Sequence, residues 1–85
     1  MRRVKVRVTK ADIRAGKQCN ATECPLALAM HRALGERAVV GLCEWNRFMR
    51  DETFLLPDAA CEFRRNFDNA EPGVKPFAFI VEIPV

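Results

Sequence analysis

The chain opens with strict alternation. Val4, Val6 and Val8 are separated by Lys5 and Arg7, a period of two that predicts a strand over Val4 to Val8 with one apolar face and with Arg3, Lys5 and Arg7 on the other. A row of cations discourages pairing with a further strand, which favours a sheet edge; the alternative is that the row presents charge to an anion. The period then lengthens. Thr9 is positioned to cap a short helix over Lys10 to Ala15, with Asp12 as an acidic capping box and Gly16 as a left-handed stop. A longer helix is expected from Glu23 or Pro25 to Leu34, closed by Gly35. Proline is tolerated in a first turn because its missing N–H forfeits no bond, so Thr22 or Cys24 becomes the cap. Leu26, Ala27, Met30, Ala33 and Leu34 recur at helical spacing and are assigned to the core. Leu28 falls off that stripe, and beside Arg32 it is a candidate partner surface.

The second half alternates shorter elements. Ala38 to Cys43 is β-rich, and Gly41 within it signals a bulge or a close backbone approach. Trp45 to Met49 and Thr53 to Leu56 flank Arg50-Asp51-Glu52 as a hairpin without the usual glycine. Leu56-Pro57-Asp58 opens a second long helix, with Leu56 or Asp58 ahead of its first turn; Ala59, Ala60, Phe63 and Phe67 share a face, and Asp68-Asn69 ends it. Ala70 to Pro76 holds two prolines and a glycine and reads as a loop. Phe77 to Pro84 closes the chain as a strand with Phe77, Phe79, Val81 and Ile83 on one face. This order predicts one α+β domain over residues 1–85: a small, mainly antiparallel sheet of about four strands, with two longer helices on one face.

Composition narrows the chemistry. A chain of 85 residues buries only roughly 60–65% of its unfolded surface, so oligomerisation or a metal would add stability, and a homo-oligomer is expected. The net charge is +3 and ten of the fourteen cations are arginine, a mild bias toward anionic partners. The chain shows no signal-like apolar run and no stretch long enough to span a bilayer, which predicts a soluble, cytoplasmic protein without membrane contact and with reduced thiols. Serine and tyrosine are absent, which removes a serine nucleophile and a tyrosine acid and argues against an enzyme.

Three constellations remain. The amino end of the Pro25 helix carries unpaired N–H groups and the positive end of the helix dipole. Lys17, Asn20, Thr22 and Cys24 lead into it and outline a cradle for a phosphate or carboxylate; Glu23 opposes the idea, and an ordinary helix cap is the simpler assignment. Trp45 with Arg47 is the pairing that stacks on a base or adenine ring; packing in the core or hairpin is its structural counterpart. Cys19, Cys24 and His31 are weak metal candidates to which Cys43 or Cys61 could add a fourth ligand, but their spacing matches no tight zinc pattern, so no metal or other cofactor is assigned.

Several motifs follow in order: T-x-x-D-I-x-x-G at Thr9 to Gly16, C-P-L-A-L-A at Cys24 to Ala29, L-P at Leu56-Pro57, F-x-x-x-F-D at Phe63 to Asp68 and V-x-P-F-x-F at Val74 to Phe79. Together they resemble small uncharacterised proteins of bacteriophage and prophage genomes. That resemblance implies a phage-type accessory protein in the cytoplasm of an infected or lysogenic bacterium, and it transfers no catalytic residues. The expected function is a non-catalytic binding module that antagonises host defence by sequestering an anionic nucleotide signal or a host protein. The alternatives are a nucleic-acid-associated regulator using the basic first strand and Arg64-Arg65, and an enzyme built on Cys24 and His31.

Overall fold

The computed structural model describes residues 1–84. The first alternating segment forms β1 (Arg2–Val8), and the last forms β5 (Phe77–Ile83). The two pair antiparallel, with Val4 opposite Val81, Val6 opposite Phe79 and Val8 opposite Phe77. This register sets Val4, Val6 and Val8 with Phe77, Phe79, Val81 and Ile83 on one face. Arg3, Lys5 and Arg7 lie on the other, opposite Glu82, Ile80 and Ala78.

Between these strands come α1 (Lys10–Ala15), α2 (Pro25–Leu34), β2 (Ala38–Val40), β3 (Glu44–Arg47), β4 (Phe54–Leu55) and α3 (Asp58–Asp68). The capping box of α1 is present as expected: the Thr9 hydroxyl accepts from the Asp12 N–H at 3.2 Å, and Asp12 Oδ2 accepts from the Thr9 N–H at 2.9 Å. Gly16 differs from the expectation. Its φ is −69°, in the extended region, and what requires a glycine is space: an added Cβ would lie 2.5 Å from the Pro25 ring. The left-handed stop is found at Gly35, with φ 74°, whose N–H donates to His31 O.

The fold is α+β, but the strands divide into two antiparallel sheets instead of one sheet of four. One is the β1–β5 ribbon and the other is β2–β3–β4. The division has a local cause. On the outer edge of β2 the Val40 N–H donates to Ala21 O at 2.8 Å, and Val40 O accepts from Arg64 Nη1 at 2.6 Å. An edge whose backbone groups already have partners cannot extend a ladder. α2 therefore carries the join, packing on β1, on β2 and on α1.

The core lies where α2 meets both sheets. Val6, Val8, Leu26, Met30, Val40 and Trp45 are fully buried, each worth about 1.5–3 kcal/mol of transfer free energy. Ala29 joins Leu26, Ala27 and Met30 inside, while Ala33 and Leu34 pack at the margin. α3 closes the other side, with Phe63 stacked near Phe67 and its ring 4.9 Å from Phe77 of β5. In the β3–β4 turn, which lacks glycine, Met49 adopts φ 64°. No described helix is long and apolar enough to cross a membrane.

Candidate functional site

At the amino end of α2 the expected cradle groups are turned toward one another. Asn20 Oδ1 accepts from the Thr22 N–H (3.1 Å), the Glu23 N–H (2.9 Å) and the Thr22 hydroxyl (3.3 Å). Lys17 donates its N–H to Glu23 O at 2.9 Å, and its Nζ lies 3.2 Å from Glu23 Oε2. Glu23, the residue that opposed an anion site, thus holds the cation that was to serve it.

The cap of α2 is Cys24 and not Thr22. Its sulfur accepts from the Ala27 N–H at 3.4 Å and from Arg64 Nη1 at 3.5 Å. Cys24, Pro25, Leu26 and Ala27 are all buried, so the positive end of the helix faces protein. Burial pushes the Cys24 thiol up from its ordinary value, against opposing hydrogen bonds and the Arg64 charge. A buried thiol of raised pKa is a poor nucleophile and a poor metal ligand.

The second constellation is also internal. Trp45 is only 1% exposed, with its ring 4.9 Å from that of Phe54, so it is a core residue with no face free for a base. Arg47 makes a fork on Glu52, Nε to Oε2 at 2.8 Å and Nη2 to Oε1 at 2.7 Å, which staples the two ends of the β3–β4 turn. The Arg47 hydrogen bonds hold the Glu52 carboxyl below its ordinary range, burial working against them.

For metal, no group of three ligating side chains is arranged to hold an ion among the described residues. His31 gives Nε2–H to Ala38 O at 3.1 Å and ties the end of α2 to β2. Cys19 is exposed, at φ 53°, with its N–H on Asp68 Oδ1 at 2.9 Å. Leu28 is half-buried. Its neighbour Arg32 forks onto Asp12 at 2.7 and 3.0 Å and donates to Arg7 O at 2.8 Å, so this pair braces α1 against β1 and α2.

Of Arg64 and Arg65, grouped in the sequence as one basic patch, only Arg65 is exposed. Arg64 is buried, with Nε on Asp68 Oδ2 at 2.7 Å and Nη1 shared among Val40 O, Gly41 O and the Cys24 sulfur. Its spacing four residues before Asp68 was the available clue.

The outer face of the β1–β5 ribbon stands apart from all of these. Lys5 and Arg7 have no carboxylate partner among the described residues, whereas Arg3 lies 3.7 Å from Glu82. On either side of Ala78 this face carries an open depression. One, of about 440 Å³, is lined by Arg7, Lys10, Pro76 and Phe77; the other, of about 480 Å³, by Lys5, Pro57 and Ile80. The period-two pattern had already set these cations together, and the pairing with β5 adds the apolar floors. No family model, curated protein or solved structure matches the chain.

Proposed function

We propose that the protein is a non-catalytic binding module that takes single-stranded nucleic acid along the outer face of the β1–β5 ribbon. The supporting observation is the pair of cations, Lys5 and Arg7, without a carboxylate partner among the described residues, beside two depressions with apolar linings. Alternate residues of a strand stand about 6.8 Å apart, so the cations form a track for a phosphodiester chain, while Ile80 and Ala78 on the same face offer an apolar surface for bases. Sequence-tolerant recognition of single strands combines these two elements. The face is open, which suits a ligand lying along it. In the setting implied by the resemblance to phage proteins, such a module would act by occupying a host or phage strand.

A second reading keeps the sequestered nucleotide signal. The depression at the ribbon end beside Arg7, Lys10 and Pro76, at about 440 Å³, has the volume of a small-ligand site and joins an apolar lining to two cations.

Fluorescence anisotropy with labelled single-stranded DNA and RNA, run beside isothermal titration of cyclic nucleotides and ADP-ribose derivatives, separates the two. The first reading expects oligonucleotide binding with a log–log salt slope of about −2, as three phosphate contacts from Lys5, Arg7 and Lys10 require. Lys5→Glu with Arg7→Glu should abolish it. Absence of binding at low ionic strength, or binding indifferent to that double reversal, would overturn the assignment. Heat from a nucleotide without oligonucleotide binding would favour the second reading.

A further inference from the structure

Two thiols that neither reading uses share one cavity. Cys43 is exposed in the turn between β2 and β3, and Cys61 lies half-buried on α3, 18 positions later. Both line one cavity of about 280 Å³, together with Leu42, Arg65, Asp68 and Asn69. Leu56 links the Cys43 backbone to the Cys61 side chain: its N–H donates to Cys43 O at 2.8 Å, and its carbonyl accepts the Cys61 S–H at 3.7 Å. The spacing is held from the other side as well. Arg64, three residues after Cys61, bonds the carbonyls of Val40 and Gly41 at 2.6 and 3.2 Å, fixing α3 against the strand end that leads to Cys43.

We propose that Cys43 and Cys61 are a reactive dithiol that closes to an intramolecular disulfide when a low-molecular-weight disulfide of the glutathione type enters this cavity. Cys43, the exposed thiol, loses its proton to solvent and attacks one sulfur of the small disulfide, releasing one small thiol and leaving a mixed disulfide. Cys61 then gives up its proton and attacks the Cys43 sulfur, releasing the second small thiol. Two protein thiols are oxidised and one small disulfide is reduced to two thiols. Arg65, exposed at the cavity wall and without a carboxylate partner among the described residues, supplies charge for the carboxylates of such an oxidant.

The roles of the two thiols follow from their surroundings. Burial, then the adjacent Cys43 thiol, pushes Cys61 up to about 11, so Cys61 is protected from the oxidant until a mixed disulfide forms beside it. Thiolate is the attacking species, so closure accelerates as pH rises.

The test is intact-mass analysis and non-reducing peptide mapping of the full chain titrated with oxidised glutathione at mildly alkaline pH. A product lighter by two hydrogens, with Cys43 joined to Cys61 and the bond reversed by dithiothreitol, is expected. Its midpoint of thermal unfolding should rise by about 10–20 °C, as expected for a loop of this length. Cys61→Ser should stop at a Cys43 mixed disulfide, and Cys19→Ser should change nothing. A wild-type product that stops at the Cys43 mixed disulfide, stays unmodified, or links through Cys19 would overturn the proposal.

Discussion

Arg64 and Asp68 face each other across one turn of α3, Nε to Oδ2 at 2.7 Å, with both side chains almost wholly out of solvent. From this pair the guanidinium reaches the end of β2 and the cap of α2, while the second Asp68 oxygen takes the Cys19 N–H. Three regions distant in sequence, residues 19–24, 40–41 and 64–68, are therefore tied through a single charge pair. Arg64→Ala would leave a buried carboxylate and two carbonyls without their donor, at a cost of about 3–5 kcal/mol. Urea denaturation measures this, and Arg64→Lys should restore little because one ammonium cannot span the same acceptors.

Stability should fall in acid through two named groups. Burial raises the Asp12 carboxyl, but hydrogen bonds from Arg32 and Thr9 outweigh it and leave the group below its ordinary value; Glu52 is lowered by Arg47. A carboxyl with a depressed folded pKa binds fewer protons folded than unfolded. Its contribution is therefore complete above the unfolded values of about 3.9 for Asp and 4.3 for Glu, and is lost as pH falls through the lower folded values. Denaturation midpoints should be flat from pH 7 to about 5 and decline below about 4.5, and Asp12→Asn should flatten part of that decline.

Gly16→Ala should destabilise although its backbone is in an ordinary region. The new methyl would meet Pro25 Cδ and Cγ at 2.5 Å and Pro25 N at 2.7 Å, so the backbone must move as well as the ring, costing about 1–3 kcal/mol. Guanidinium titration checks it; an unchanged midpoint would show that the α1–α2 contact opens freely.

Trp45 should report a core environment. Buried and packed on Phe54, it should emit at short wavelength, resist acrylamide quenching, and show no stacking-type quenching when nucleic acid binds the ribbon. Strong quenching by an oligonucleotide would mean that the ligand enters near β3 instead.

Local pattern was enough for the order of the elements, though not for every boundary: β2 ends at Val40 and not at Cys43, and β3 runs over Glu44–Arg47 and not to Met49. Alternation identified β1 and β5, Thr9 and Asp12 identified the start of α1, and Pro25 with Gly35 bounded α2, because each signal depends on residues a few positions apart. The same local character explains the cations on β1: a period of two places Lys5 and Arg7 together whatever the strand pairs with. What tertiary structure decided was which polar groups remain free. Lys17 and Arg47 looked available in the sequence and are held by Glu23 and Glu52, and Trp45 looked presentable and is interior.

Sequence by itself determined the composition class, the order of helices and strands, and the inner and outer faces of the terminal strands, since these follow from backbone periodicity and steric preference. Tertiary structure alone decided that the strands form two sheets, that Arg64 is a buried brace, and that Cys43 and Cys61 share a cavity. These depend on contacts between residues far apart in the chain, where burial and hydrogen-bond satisfaction outweigh local preference.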